Sequence, residues 1–146
     1  MSEVYRLARD FKRRYPNTVA FRLKQHAKVI EQHLNPNEEI KYLFLGQKNS
    51  GTFDFVNTHI IVITNQRIML ATKRIAFGYF FKSISFDLYN DLTISCGLIW
   101  GRIIIDTVKE KILISNIDKD ALPEIETNFT TLVSELKREY LDEDNE

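Results

Sequence analysis

The order of periodicities along this chain constrains its fold more than any single motif does. Between Glu39 and Ile117 the sequence breaks into short strand-like runs, and one amphipathic helix follows them. That order fits a small antiparallel β domain closed by a helix, mainly β within the α+β class. No catalytic or metal constellation accompanies it, and a binding or assembly module is a better reading than an enzyme.

Ile40 to Gly46 is the first strand, and Gln47-Lys48-Asn49-Ser50-Gly51 supplies a polar turn. His59 to Thr64 and Arg67 to Thr72 pair across a tight connection at Asn65-Gln66. Ile75 to Phe86 is a third, aromatic-rich region. Leu92, Ile94, Cys96 and Leu98 alternate with smaller residues, as in a half-buried strand, and Cys96 is expected inside. Arg102 to Val108 and Lys111 to Ile117 form a last hairpin across Lys109-Glu110. About seven strands at this short spacing point to an antiparallel barrel or sandwich.

Two helices precede the strands. Val4, Leu7, Ala8, Phe11 and Tyr15 recur at helical spacing, and Pro16 stops that segment. Ala20, Leu23, Ala27, Ile30 and Leu34 predict a second helix from Val19 to Leu34, ended by Asn35-Pro36-Asn37. The closing helix is expected from Lys119 to Leu141, with Leu122, Ile125, Phe129, Leu132 and Leu136 as its seam. Pro123 is tolerated there because it sits in the first turn. A barrel has an open end, and such a seam is a natural plug for it.

A domain of 146 residues buries roughly 70% of its unfolded surface and needs no disulfide or metal staple. The lone Cys96 cannot bridge within the chain, which fits a reducing cytoplasm. The opening residues are too charged for a signal peptide, and no stretch approaches the roughly 20 apolar residues of a membrane span. A soluble, cytoplasmic protein is expected. The net charge of zero hides a basic head (residues 1–34) and an acidic end (residues 118–146). Solvated faces of opposite sign are the simpler account; steering of separate partners is the other.

HIIVITNQRIML (59–70) resembles the signature hairpin of bacterial pleckstrin-homology-like (PH-like) domains, where an apolar strand runs into TNxRI and a second apolar strand. DLTISCGLIWGRIIIDTVKEKILISNIDK (91–119) is similar to the closing strands of that family. NPNEEIKYLFLGQ (35–47), with the helix before it, resembles the lead-in of a subfamily with N-terminal helices. The resemblance implies a seven-stranded, strongly bent β-sandwich with a C-terminal helix over one open corner. The expected division is a helical extension over 1–34, a PH-like domain over 35–141 and an acidic tail over 142–146. No activity is implied, since the fold hosts lipid, peptide and protein binding alike. Relatives that bind phosphoinositides carry a basic cluster across the first two strands. Here the loop QKNSGTFDF offers Lys48 and an acid, Asp54, and specific inositol-phosphate recognition is not expected.

Candidate sites rest on apolar surface rather than on chemistry. His26 and His33 lack a Cys or carboxylate at ligand spacing and are expected as solvated helix residues; His59 is the remaining imidazole. Ile99 and Trp100 fall where two strands turn, a place that normally avoids large apolar side chains. An exposed Ile-Trp pair can enter a partner's pocket or a membrane interface, and a bulged hairpin folded back over the barrel mouth is the plainer alternative. In FGYFF (77–81) the bulky residues cannot all face inward. Tyr79 and Phe81 therefore need a cover, either the N-terminal helix pair or a second chain.

Leu7 and Phe11 form the docking stripe of the first helix. Its basic residues Arg6, Arg9, Lys12, Arg13 and Arg14 define the alternative reading, an amphipathic helix on anionic lipid at the inner face of the membrane. Nucleic acid ranks last, having no recognition motif behind it. The expectation is a non-catalytic module, without cofactor or metal, that binds a protein partner or assembles with itself.

Overall fold

The run Ile60-Ile61-Val62-Ile63 lacks the alternation of a half-buried strand, and both of its faces are covered. In the computed structural model, which describes residues 1–48 and 57–144, β2 (Thr58–Thr64) is buried along its whole length. It pairs antiparallel with β1 (Ile40–Gln47) and β3 (Ile68–Lys73), and β4 (Tyr79–Ile84) extends the sheet past β3. β5 (Tyr89–Cys96), β6 (Trp100–Thr107) and β7 (Lys111–Asp118) form the other half. One antiparallel sheet of seven strands results, in the order β4-β3-β2-β1-β7-β6-β5, curled into a PH-like half-barrel. The turn expected at Asn49-Ser50-Gly51, and Asp54 with it, lies outside the described residues.

The two halves meet where Gln47 pairs with Ser115. Ser115 Oγ donates to the Gln47 carbonyl at 3.2 Å, and Asn116 Nδ2 donates to Gln47 Oε1 at 2.7 Å. Gly46 permits this approach, because a Cβ there would stand 2.3 Å from Ile114 Cγ2.

α1 (Glu3–Arg14) begins at Ser2, whose Oγ accepts the Tyr5 N–H at 3.1 Å. Glu3 lies in its first turn and Lys12, Arg13 and Arg14 in its last, as the helix dipole prefers. Val4, Ala8 and Phe11 are buried, and the helix packs on β1. α2 (Leu23–His33) packs on β2 and β3, and is shorter than its periodicity predicts. Residues 17–22 form a non-helical strap instead. The Val19 N–H donates to Asn116 O at 2.9 Å, the Asp118 N–H to Thr18 Oγ1 at 3.0 Å, and the Phe21 N–H to Thr58 Oγ1 at 3.0 Å. Bonds to β7 and β2 thus replace one more helical turn. Arg22, at φ 58°, then swings the chain into α2.

α3 (Leu122–Asp144) follows a 3₁₀ turn at Lys119–Ala121, where Asp118 Oδ1 accepts the Asp120 N–H. Its buried residues are Leu122, Ile125, Phe129, Val133 and Leu136. Val133 takes the place expected for Leu132, which is half-buried. The Phe129 ring lies 5.5 Å from Tyr89 and 6.3 Å from Phe44, and the helix packs on β1, β2 and β5 as a plug. A Cβ on Gly101 would come within 2.3 Å of Leu122 Cδ1, so the small residue lets the helix start settle on β6.

One expectation for β5 fails. Leu92 and Ile94 are half-buried, but Cys96 is exposed rather than inside. Cys96 pairs with Gly101 beside the turn, and β5 is an edge strand, with no further strand beyond it among the described residues. Buried residues of all three helices and the sheet form one apolar cluster.

Candidate interaction surfaces

The TNQRI run is a clamp. The Glu38 carboxylate accepts from Thr64 Oγ1 at 2.6 Å, from Arg67 Nε and Nη2 at 3.0 Å each, and from the Asn35 N–H at 3.0 Å. Asn65 Oδ1 accepts the Glu39 N–H at 2.8 Å, and Arg67 also donates to the His33 carbonyl at 2.6 Å. Burial raises the Glu38 carboxyl, but the bonds from Arg67, Thr64 and Asn35 outweigh it and hold the group below its ordinary value. These donors are spent joining the β2–β3 hairpin to the end of α2 and the lead-in.

The β5–β6 turn carries Leu98, Ile99 and Trp100 towards water, at 87%, 46% and 39% exposure. Its backbone is nonetheless pinned. The Gly97 N–H donates to Trp100 O at 2.9 Å, the Lys119 N–H to Ile99 O at 3.1 Å, and Trp100 Nε1 to Asn17 O at 2.7 Å. A groove of about 320 Å³ beside it is lined by Cys96, Gly97, Trp100 and Arg102, with buried Ser115 and Asn116 at its base.

The β3–β4 turn is a second apolar tip, where Ile75 is 64% and Phe77 87% exposed. Gly78, at φ 72°, closes it by accepting the Arg74 N–H at 3.1 Å and the Lys73 ammonium at 3.0 Å. Arg22 of the strap donates to Lys73 O at 2.9 Å and Arg74 O at 3.3 Å. The aromatic block therefore divides: Phe77 stands in the turn, and the strand starts at Tyr79. His33 stacks on Phe81 at 3.9 Å and meets Tyr79 edge-on at 5.2 Å, so α2 supplies cover for Phe81 while Tyr79 stays exposed.

The basic residues of α1 are largely engaged. Lys12 Nζ donates to Pro16 O at 2.7 Å and to Thr18 O at 2.5 Å, and burial lowers its pKa against the pull of Asp118. Arg14 pairs with Glu124 at 3.1 Å and Arg6 with Asp10 at 3.6 Å. Arg9 Nε is buried without a partner, and Arg13 is exposed. Phe11 is fully buried and Leu7 half-buried, so the stripe docks on the chain's own sheet. Glu124 also accepts from Tyr15 Oη at 3.0 Å and Tyr42 Oη at 2.8 Å, tying α1, β1 and α3 together. Burial and the Glu124 charge raise both tyrosines. Sequence reasoning passes over Glu124, because Tyr15 stands 109 positions away and no local pattern links them.

The histidine expectation is overturned at His26, which is buried under α2 with Nδ1 accepting the Lys73 N–H at 2.8 Å. It flanks Ala27 and Ile30 on the inward side of the helix. His59 is buried too, with Nδ1 2.8 Å from Asn57 O. Burial pushes both imidazoles down to about 4, with the charge of Arg22 adding at His26 and that of Lys48 at His59. Among the described residues, no group of three His, Cys, Asp or Glu side chains is placed to hold a metal. No helix there is long and apolar enough to cross a membrane.

A curled seven-stranded sheet plugged by a C-terminal helix, with apolar turns at its rim, is a PH-like domain, a fold that does not by itself set a function. The chain belongs to the bacterial PH domain family: residues 34–129 match the family described as Bacterial PH domain. No curated protein and no solved structure matches it.

Proposed function

We propose that this chain is a non-catalytic docking module that holds a protein partner on the β5–β6 turn. The observation that supports this reading is a bare apolar tip on a pinned backbone. Leu98 and Ile99 face water on a turn already fixed by its bonds to Trp100, Lys119 and Asn17, so little ordering entropy remains to be lost on binding. Trp100 adds rigid aromatic area, of a type enriched at interaction hot spots. The adjoining groove offers a partner side chain somewhere to enter.

A photo-crosslinking amino acid at position 98 of the full chain, used in cells, tests the reading. The expected result is a discrete adduct with a second polypeptide, lost when Ile99→Ser is added. The same probe at Thr131, exposed on α3, should yield no such adduct. Equal adducts from both positions, or none from position 98, would defeat the assignment.

A further inference from the structure

We infer that copies of this chain join tip to groove: the apolar β3–β4 turn of one copy seats in an acid-flanked groove beside the end of α3 on another. This inference goes beyond the β5–β6 reading and uses none of its residues.

The tip is apolar with a basic collar. Ile75 and Phe77 stand in water, and Arg74 beside them is exposed. Among the described residues Arg74 has no ion-pair partner. The Arg22 guanidinium is bonded to the carbonyls of Lys73 and Arg74. Lys28 shares a groove with Lys73 and Tyr79 that has no acid in its lining.

The groove has the opposite character. It holds about 230 Å³ against Asn65 of the β2–β3 turn, with Phe86, Leu136 and Tyr140 as its apolar part. Glu139 and Glu143 flank it, both exposed and one helical turn apart on α3. Among the described residues neither has an ion-pair partner. Lys137 is spent on the Tyr89 carbonyl, and Arg138, two positions on from Leu136, projects from the other side of the helix. Small-molecule sites run to roughly 300–1,000 Å³, so this smaller groove suits an inserted side chain better than a free ligand.

Charge complementarity chooses a second copy as the occupant. Cations surround the apolar tip, acids flank the apolar groove, and both sets lack partners of opposite sign within the chain. One copy cannot satisfy itself. Lys73 pairs with Tyr79 at the tip, whereas Ile68 pairs with Ile84 at the end nearest Phe86. A strand of this length holds those two ends roughly 17–20 Å apart. Two copies can close a reciprocal pair, or the joint can run on from copy to copy; either way a tip from one meets a groove from another. The basic head and acidic end hidden in a net charge of zero then steer copies towards each other. Leu136, Glu139, Tyr140 and Glu143 follow residue 129, outside the stretch that matches the family.

The test is light scattering of the full chain over a concentration series. The average mass should rise with concentration and fall with salt, since exposed charges are screened over about 8 Å at physiological ionic strength. Phe77→Ser should weaken association at least about tenfold, the lower end for burying such a side chain. Glu139→Lys with Glu143→Lys should abolish it, and Leu98→Ser should associate as wild type. Mixing decides the geometry. Phe77→Ser keeps a groove and the double lysine variant keeps a tip, so the two together should pair and stop there. All these side chains are exposed, and an unchanged Tm verifies each fold. A photo-crosslinking amino acid at position 75, used in cells, should link two copies through residues 136–143.

A wild type that stays monomeric, full association by Phe77→Ser, or a mixture that does not pair overturns the inference. Crosslinks from position 75 that reach only a different polypeptide also overturn it, and give the tip to another partner.

Discussion

The indole N–H of Trp100 donates to the backbone carbonyl of Asn17 at 2.7 Å, joining the β5–β6 turn to the strap that leads into α2. The bond is open to solvent, so its loss should cost no more than a typical hydrogen bond. Trp100→Phe is expected to lower the unfolding free energy by roughly 0.5–1.5 kcal/mol. It should also speed amide exchange at Val19, whose N–H donates to Asn116 two positions further along the strap. Urea titration and hydrogen exchange read the two effects. Unaltered protection at Val19 would show that the strap holds without the indole.

Arg67 should be among the most sensitive positions outside the apolar core. The Glu38 side chain is fully enclosed, and Arg67 is the cation paired with it. Arg67→Met is expected to destabilise by about 3 kcal/mol, because a buried carboxylate is left without its cation. Arg67→Lys should recover little of that, since an ammonium lacks the planar fork that reaches both Glu38 and the His33 carbonyl. Chemical denaturation decides the point, and a lysine variant as stable as wild type would contradict it.

Acid should weaken the fold through His26 and His59. Both are held down to about 4 in the folded chain, against about 6.5 when free. Above the free value both states carry neutral imidazoles, and the stability is fully present. As pH falls from about 6.5 towards 4, the unfolded chain takes up protons that the folded chain refuses. Stability then drops by up to about 1.4 kcal/mol per histidine per pH unit. Urea midpoints measured across this window should fall more steeply for wild type than for His26→Gln with His59→Gln. Parallel slopes would remove the histidines from the account.

A chain beginning at Asn35 should not fold on its own. It lacks Val4, Ala8, Phe11, Ala27, Val29 and Ile30, all buried in the common cluster, and it uncovers β1, β2 and β3. Large apolar side chains contribute roughly 1.5–3 kcal/mol each when buried, against a whole-domain stability of about 5–15 kcal/mol. Aggregation and no cooperative melt are expected by size exclusion and near-ultraviolet circular dichroism. A monomeric, cooperative melt would make the two helices dispensable.

What is legible in the sequence is what local pattern encodes. The unbroken apolar run of β2, the tight connection at Asn65-Gln66 and the stripe of α1 all follow from neighbours in the chain; that Glu38 closes on Thr64 and Arg67, 26 and 29 positions away, does not. The start of α2 does not. Val19 and Ala20 fit a helical period, but the partners that hold Thr18 and Val19 out of a helix, Asp118 and Asn116, lie about a hundred positions away. Cys96 fits an inward alternation, but strand order leaves β5 at an edge of the sheet. His26 is buried because of how α2 rolls on β3. At the candidate surfaces, large apolar residues where strands turn reveal Ile99 and Trp100. The bare tip at Ile75 and Phe77 depends on Gly78 taking a positive φ, which the aromatics on either side of it disguise.

The strap also sets an order of events during synthesis. Asn17 and Thr18 are bonded to Asp118, 101 and 100 residues later, and Tyr15 is bonded to Glu124. At about 5–20 residues per second, a ribosome makes α1 several seconds before those partners exist. Through that interval Val4, Ala8 and Phe11 have no complete sheet to cover them. A nascent chain of this protein therefore carries the apolar stripe of α1 from the outset, and cannot fasten the strap behind it until the last strand has emerged.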